Sequence, residues 1–135
     1  MLVEHNGKPP YNTAEALPKV PRDVIMFDWH YGAQKSFPSL AFFKEHGFDV
    51  VASGWYEPLN VTQFAWETRQ NELLGYGGTT WYGIDIIRNE IRLTTGFPLG
   101  AEFAWSPREP RLDDLGFEPT AVFRRLYDDA PAPAA

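Results

Sequence analysis

Short continuous runs of apolar residues alternate along this chain with longer stretches whose apolar positions recur every three or four residues. Asp23–Asp28 (Asp-Val-Ile-Met-Phe-Asp) is an unbroken apolar run between polar ends, which predicts a strand buried on both faces. Phe48–Ser53 (Phe-Asp-Val-Val-Ala-Ser) predicts a second strand. Tyr76–Trp81 predicts a weaker third, because Gly77 and Gly78 cost strand stability and mark a close approach of other backbone.

Helical patterns fill the intervals. Ser36-Phe37-Pro38 opens one helix, with Ser36 or Phe37 at the cap and Pro38 in the first turn. Leu40, Phe43 and Phe42 give it an apolar face, and Gly47 ends it. Asn60 reads as the cap of a longer helix reaching about Leu74, with Val61, Phe64, Ala65 and Leu73 or Leu74 inward and Gly75 closing it. A further helical stretch runs from Gly83 to about Thr94, where Gly96-Phe97-Pro98 breaks it before Leu99–Trp105. Pro107–Pro110 is a turn, and Pro119–Tyr127 is an amphipathic helix with Val122, Phe123 and Leu126 inward. Residues 1–22, punctuated by Pro9-Pro10, Pro18 and Pro21, form a loop-rich lead-in with one helical turn around Thr13–Leu17. Residues 128–135, ending Ala-Pro-Ala-Pro-Ala-Ala, are expected to be a disordered tail.

Strands that alternate with helices imply an α/β fold with a parallel sheet. Three such strands alone leave two open edges, whereas eight β/α units close a barrel of typically ~250 residues. The expectation is therefore a partial (β/α)8 TIM barrel, about the last three β/α units, over residues 23–127.

Composition narrows the function classes. The net charge of −6, without a basic cluster, argues against a nucleic-acid partner. No apolar run reaches the ~20 residues of a membrane span, and the N-terminus lacks a signal-peptide pattern, so a cytoplasmic location is expected. The absence of cysteine removes thiolate chemistry and disulfides. Asn60-Val61-Thr62 is formally a glycosylation acceptor, read here as helix instead.

The aromatic content of 16% is the departure from the ordinary, and it clusters. Asp28-Trp29-His30-Tyr31, Trp55-Tyr56-Glu57 and Thr80-Trp81-Tyr82 each close one apolar run. The carboxyl ends of parallel barrel strands are where ligand sites lie. Tryptophan faces suit the C–H side of a sugar ring, and neighbouring polar groups suit its hydroxyls. Asp28, Trp29, His30, Tyr31, Trp55, Tyr56, Glu57 and Trp81 are the candidate substrate-binding residues. Asp28 and His30 sit two apart on a strand, so they point the same way and offer either ligand hydrogen bonds or half a metal site. Glu57 and Glu67 are candidates for acid–base work. Trp66 and Trp105 read as packing residues, and no cofactor motif is present.

Pro21–Tyr31 resembles a strand of the barrels of glycoside hydrolase family 20, the β-N-acetylhexosaminidases. Gly47–Trp55, Gly77–Trp81 and Ala101–Pro107 are similar to later strands and the terminal helix of that family. The resemblance implies a (β/α)8 barrel that removes terminal N-acetylhexosamine with help from the substrate's own acetamido group, an exception to the two-carboxylate scheme. It also implies a catalytic Asp-Glu pair upstream, since no adjacent Asp-Glu occurs in this chain. Met1-Leu2-Val3 would then be the tail of a preceding strand in a longer gene product. The expected partners are a carbohydrate and either the missing N-terminal barrel half or a second copy. The alternatives are a non-catalytic carbohydrate-binding module, or a metal-dependent hydrolase using Asp28 and His30.

Overall fold

The computed structural model describes residues 9–81 and 91–128. The expectations for Met1–Val3, for Tyr82, for most of the Gly83–Thr94 helix and for the end of the tail lie outside those residues. Three strands, β1 (Ile25–Trp29), β2 (Asp49–Gly54) and β3 (Gly75–Gly78), form one parallel sheet in the order β1-β2-β3. The helices are α1 (Pro38–Glu45), α2 (Pro58–Gln70), α3 (Gly96–Trp105) and α4 (Pro119–Asp128). Short 3-10 segments cover Thr13–Lys19 and Ile91–Thr95. The α/β class and the parallel three-stranded sheet agree with the sequence pattern.

Local chemistry explains the helix ends. α1 begins after Phe37 with Pro38 in its first turn, and it stops in a Schellman arrangement. There Gly47, at φ 82°, donates to Lys44 O and Phe48 donates to Phe43 O. α2 ends the same way, earlier than its apolar pattern suggests. Glu72 takes the left-handed position at φ 52°, Glu72 N–H donates to Arg69 O, and Leu73 N–H donates to Thr68 O. Gly75, expected to close the helix, instead starts β3. Gly96-Phe97-Pro98, expected to break a helix, is the first turn of α3, where proline's missing N–H costs nothing.

The core lies on one side of the sheet. Val50 and Ala52 of β2 meet Leu40 of α1, Phe37, Phe48 and Phe64 of α2, with Leu17 of the lead-in sealing one end. A second cluster joins Val61 and Ala65 of α2 to Leu99 and Phe103 of α3, and Tyr76 of β3 touches both clusters. Arg22 secures the lead-in, donating to the carbonyls of Leu17 and Val20 and stacking on Phe48.

On the opposite face β1 is exposed, whereas Val51 is half-buried and Ser53 buried, which corrects the expectation that β1 is buried on both sides. Ile25, Phe27 and Trp29 of β1 are 51%, 60% and 56% exposed. Side chains alternate along a strand, and the helices packed on the sheet take the Met26–Asp28 side. Across that face the side chains shrink from Phe27 to Val51 to Gly75 in one row, and from Trp29 to Ser53 to Gly77 in the next.

Candidate functional site

Because the strands are parallel, their carboxyl ends lie along one edge of the sheet, and the three aromatic clusters meet there. Trp29, the last residue of β1, sets its ring edge-on to Trp81, with centroids 5.6 Å apart and planes at 78°. Trp81 Nε1–H donates to the Tyr31 hydroxyl at 2.9 Å. Tyr31 in turn meets Trp55 at 5.6 Å, and Trp55 meets Tyr56 at 4.6 Å, both edge-to-face. Five rings at or just beyond the three strand ends thus form one continuous row: Trp29, Trp81, Tyr31, Trp55, Tyr56. Each such contact contributes about 0.5–1.5 kcal/mol beyond burial, enough to bias ring orientation. Trp29 and Trp81 are each 56% exposed, and together they make an L-shaped corner of open ring surface.

The polar candidates lie elsewhere. Asp28 is buried on the helix side of β1, where Ser39 Oγ of α1 donates to its Oδ2 at 2.5 Å. That uses the only Ser39 proton, so the His30 Nε2–H donates to Ser39 Oγ at 3.0 Å and approaches Asp28 Oδ1 at 3.3 Å. The His30 ring rests against Phe37 and Phe64. Asp28 and His30 therefore form a closed network behind the aromatic row, tying β1 to α1. Among the described residues no group of three His, Cys, Asp or Glu side chains is placed to hold a metal ion.

The two glutamates are likewise engaged. Glu57 is the N-cap of α2, its carboxylate accepting from Asn60 N–H at 2.8 Å. Glu67 accepts from Phe37 N–H at 2.8 Å and from Gln63, joining α2 to the start of α1. The expected cap, Asn60, is instead the third residue of the helix, and it is fully buried. The signal for this is Pro58: proline favours the first helical position, which makes residue 57 the cap. Asn60 Oδ1 accepts from Trp55 N–H at 3.1 Å, while its Nδ2 donates to His30 O at 2.6 Å and Gly32 O at 3.3 Å. Thr62 is also fully buried, so the formal glycosylation acceptor is shut inside the fold.

The start of α3 buttresses the same loop. Thr95 Oγ1 donates to Tyr56 O at 2.7 Å, and Gly96 passes so close that a Cβ there would lie 2.6 Å from Trp55 O. Comparison of the chain with protein-family models, with curated proteins and with solved structures finds no match. A functional reading therefore rests on this geometry.

Away from the row, α3 and α4 flank an open apolar cavity of about 820 Å³, lined by Phe97, Pro98, Phe117, Val122 and Phe123 among others. Trp105, read from the sequence as a packing residue, stands on its rim 89% exposed. Glu102, also in the wall, pairs with Arg108 at 2.8 Å. The cavity offers volume without convergent polar groups, whereas the aromatic row offers shaped ring faces beside hydroxyls. The row is the better candidate site.

Proposed function

We propose that this chain is the C-terminal part of a glycosidase-like (β/α)8 barrel and that its aromatic row holds a sugar. The observation that carries this reading is the continuity of Trp29, Trp81, Tyr31, Trp55 and Tyr56 along the carboxyl edge of a parallel sheet. The exposed Trp29–Trp81 corner suits the C–H face of a pyranose, with a second ring against its edge. Tyr31 accepts from Trp81, so its own O–H is what it offers a ligand hydroxyl. Neither candidate carboxylate is free to serve as the acid: Glu57 is occupied as a helix cap, and Asp28 is held by Ser39 and His30. The catalytic carboxylates belong to the missing part of the barrel.

Partner and substrate follow from the same reading. The substrate is a terminal N-acetylhexosamine or a related neutral sugar. The exposed side chains of β1 and its edge, unpaired among the described residues, suit completion by the preceding barrel strands or, in their place, by another copy. Titrating the chain with N-acetylglucosamine while following tryptophan fluorescence tests the reading. A saturable change lost in Trp81→Ala supports it, and the absence of any change overturns it. The chain alone should leave a nitrophenyl N-acetylglucosaminide intact. Turnover abolished by Glu57→Gln would give Glu57 the catalytic role instead.

A freestanding sugar-binding module without chemistry is the second reading. It is favoured by the closed core on the helix side, which the lead-in seals with Leu17. Sedimentation separates the two: a cooperative, fully monomeric domain that binds sugar supports the module.

A further inference from the structure

Asn60 does more than pack. Its side chain is buried without exposure, yet it carries three hydrogen bonds, and all of them go to the loops that bear the aromatic row. Two run to the carbonyls of His30 and Gly32, which flank Tyr31 on either side. The third comes from the amide of Trp55. The rings of Tyr31 and Trp55 are the junction at which the β1 half of the row meets the β2 half. One amide therefore spans that junction from beneath, and its own backbone N–H is fixed by Glu57. The surrounding chain makes room for it: a Cβ on Gly54 would lie 2.5 Å from Asn60 Oδ1.

We propose that Asn60 is the positioning residue of the site, setting the spacing of Tyr31 from Trp55 and so the shape of the surface a ligand meets. The link to ligand binding rests on the sugar reading above; the link to ring geometry does not. Only an amide fits. The two loop carbonyls need donors and the Trp55 N–H needs an acceptor, and both must come from one short side chain. A carboxylate would face His30 O and Gly32 O with no proton to offer. Alanine would leave two carbonyls and one N–H unmatched in a buried place.

The full chain carrying Asn60→Asp or Asn60→Ala is compared with Thr62→Val, which removes a buried hydroxyl two residues further along α2 that donates to Pro58 O. Three measurements are made on each: the denaturation midpoint, the near-ultraviolet circular dichroism of the aromatic rings, and the fluorescence titration with N-acetylglucosamine. Both Asn60 variants should lose most of the near-ultraviolet signal at native far-ultraviolet signal, and binding should weaken about tenfold or more. Thr62→Val should keep both, whatever its loss of stability. A folded Asn60→Asp with unchanged near-ultraviolet signal overturns the proposal. If the rings rearrange but neither the variant nor the parent chain binds sugar, the positioning role stands and the sugar reading falls. Hydrogen exchange of the parent chain needs no variant. The Trp55 amide, held by Asn60, should exchange about a hundredfold or more slower than a free loop amide. Exchange at the rate of an exposed loop overturns the proposal as well.

Discussion

Tyr76 is where a single residue most visibly works against the fold. Its ring joins the two core clusters, but its hydroxyl is buried with no hydrogen-bond partner among the described residues. Burial pushes its ionisation above the ordinary tyrosine value of about 10. A phenol that ionises more readily unfolded than folded contributes stability that is whole below the unfolded value, and that is lost as pH rises past it toward the folded one. The chain should therefore weaken above about pH 10, and Tyr76→Phe should remove that component. At neutral pH the same change takes away an unmatched polar atom and keeps the ring, so stability should hold or rise by about 1 kcal/mol. Urea midpoints at pH 7 and pH 10.5 check both statements; a clear loss at pH 7 would reveal a partner for the hydroxyl. Glu118 shows the opposite sign on the surface. Slight desolvation raises its ionisation, but the N–H groups of Ala121 and Thr120, with Arg124 nearby, hold it below the usual carboxylate range. Its support for the start of α4 is present above the unfolded value and fades as pH falls through the folded one.

Helix ends show how much each element depends on one or two positions. Glu57→Ala removes the α2 cap and should cost about 1 kcal/mol in thermal or urea denaturation. Glu72 occupies a left-handed turn that glycine takes without strain, so Glu72→Gly should stabilise by up to about 1 kcal/mol, because Lys44 Nζ bonds only its backbone carbonyl. The elements themselves were legible: apolar runs of strand length, separated by helical periods, mark β1, β2, α1 and α2 close to where they lie. What the pattern did not resolve has physical causes. An unbroken run such as Val24–Phe27 looks the same whether one face or both are covered, so the exposed side of β1 left no trace in it. Asparagine is a favoured cap in general, and that preference concealed the bridging role of Asn60 until Pro58 is read as the first helical residue. In the site, the clustering of rings at strand ends was visible. The withdrawal of Asp28, His30 and Glu57 into structural bonds was not, since it depends on Ser39 and Asn60 from other segments.

At the scale of the whole molecule, β1 is covered on one side only. Parallel sheets are found almost only with both faces covered, and here one face presents Ile25, Phe27 and Trp29. The purified chain should self-associate as its concentration rises, through that face and the open strand edges. Phe27→Lys places a charge on the bare side without touching the core. It should shift the population toward monomer in sedimentation while leaving the urea midpoint of the monomer within about 0.5 kcal/mol. Unchanged association would move the contact to another surface, with the exposed Trp105 rim as the next place to look.

A strand whose apolar side chains stand in solvent makes thermal behaviour a property of the solution as much as of the chain. Anything that settles on Phe27 and its neighbours binds the native form and has nothing comparable to bind once the strands separate, so it lifts the melting point by mass action. A dilution series should therefore trace a falling melting curve. Adding whatever naturally completes the sheet should flatten that curve, and the extent of flattening ranks candidate partners without an assay for any activity.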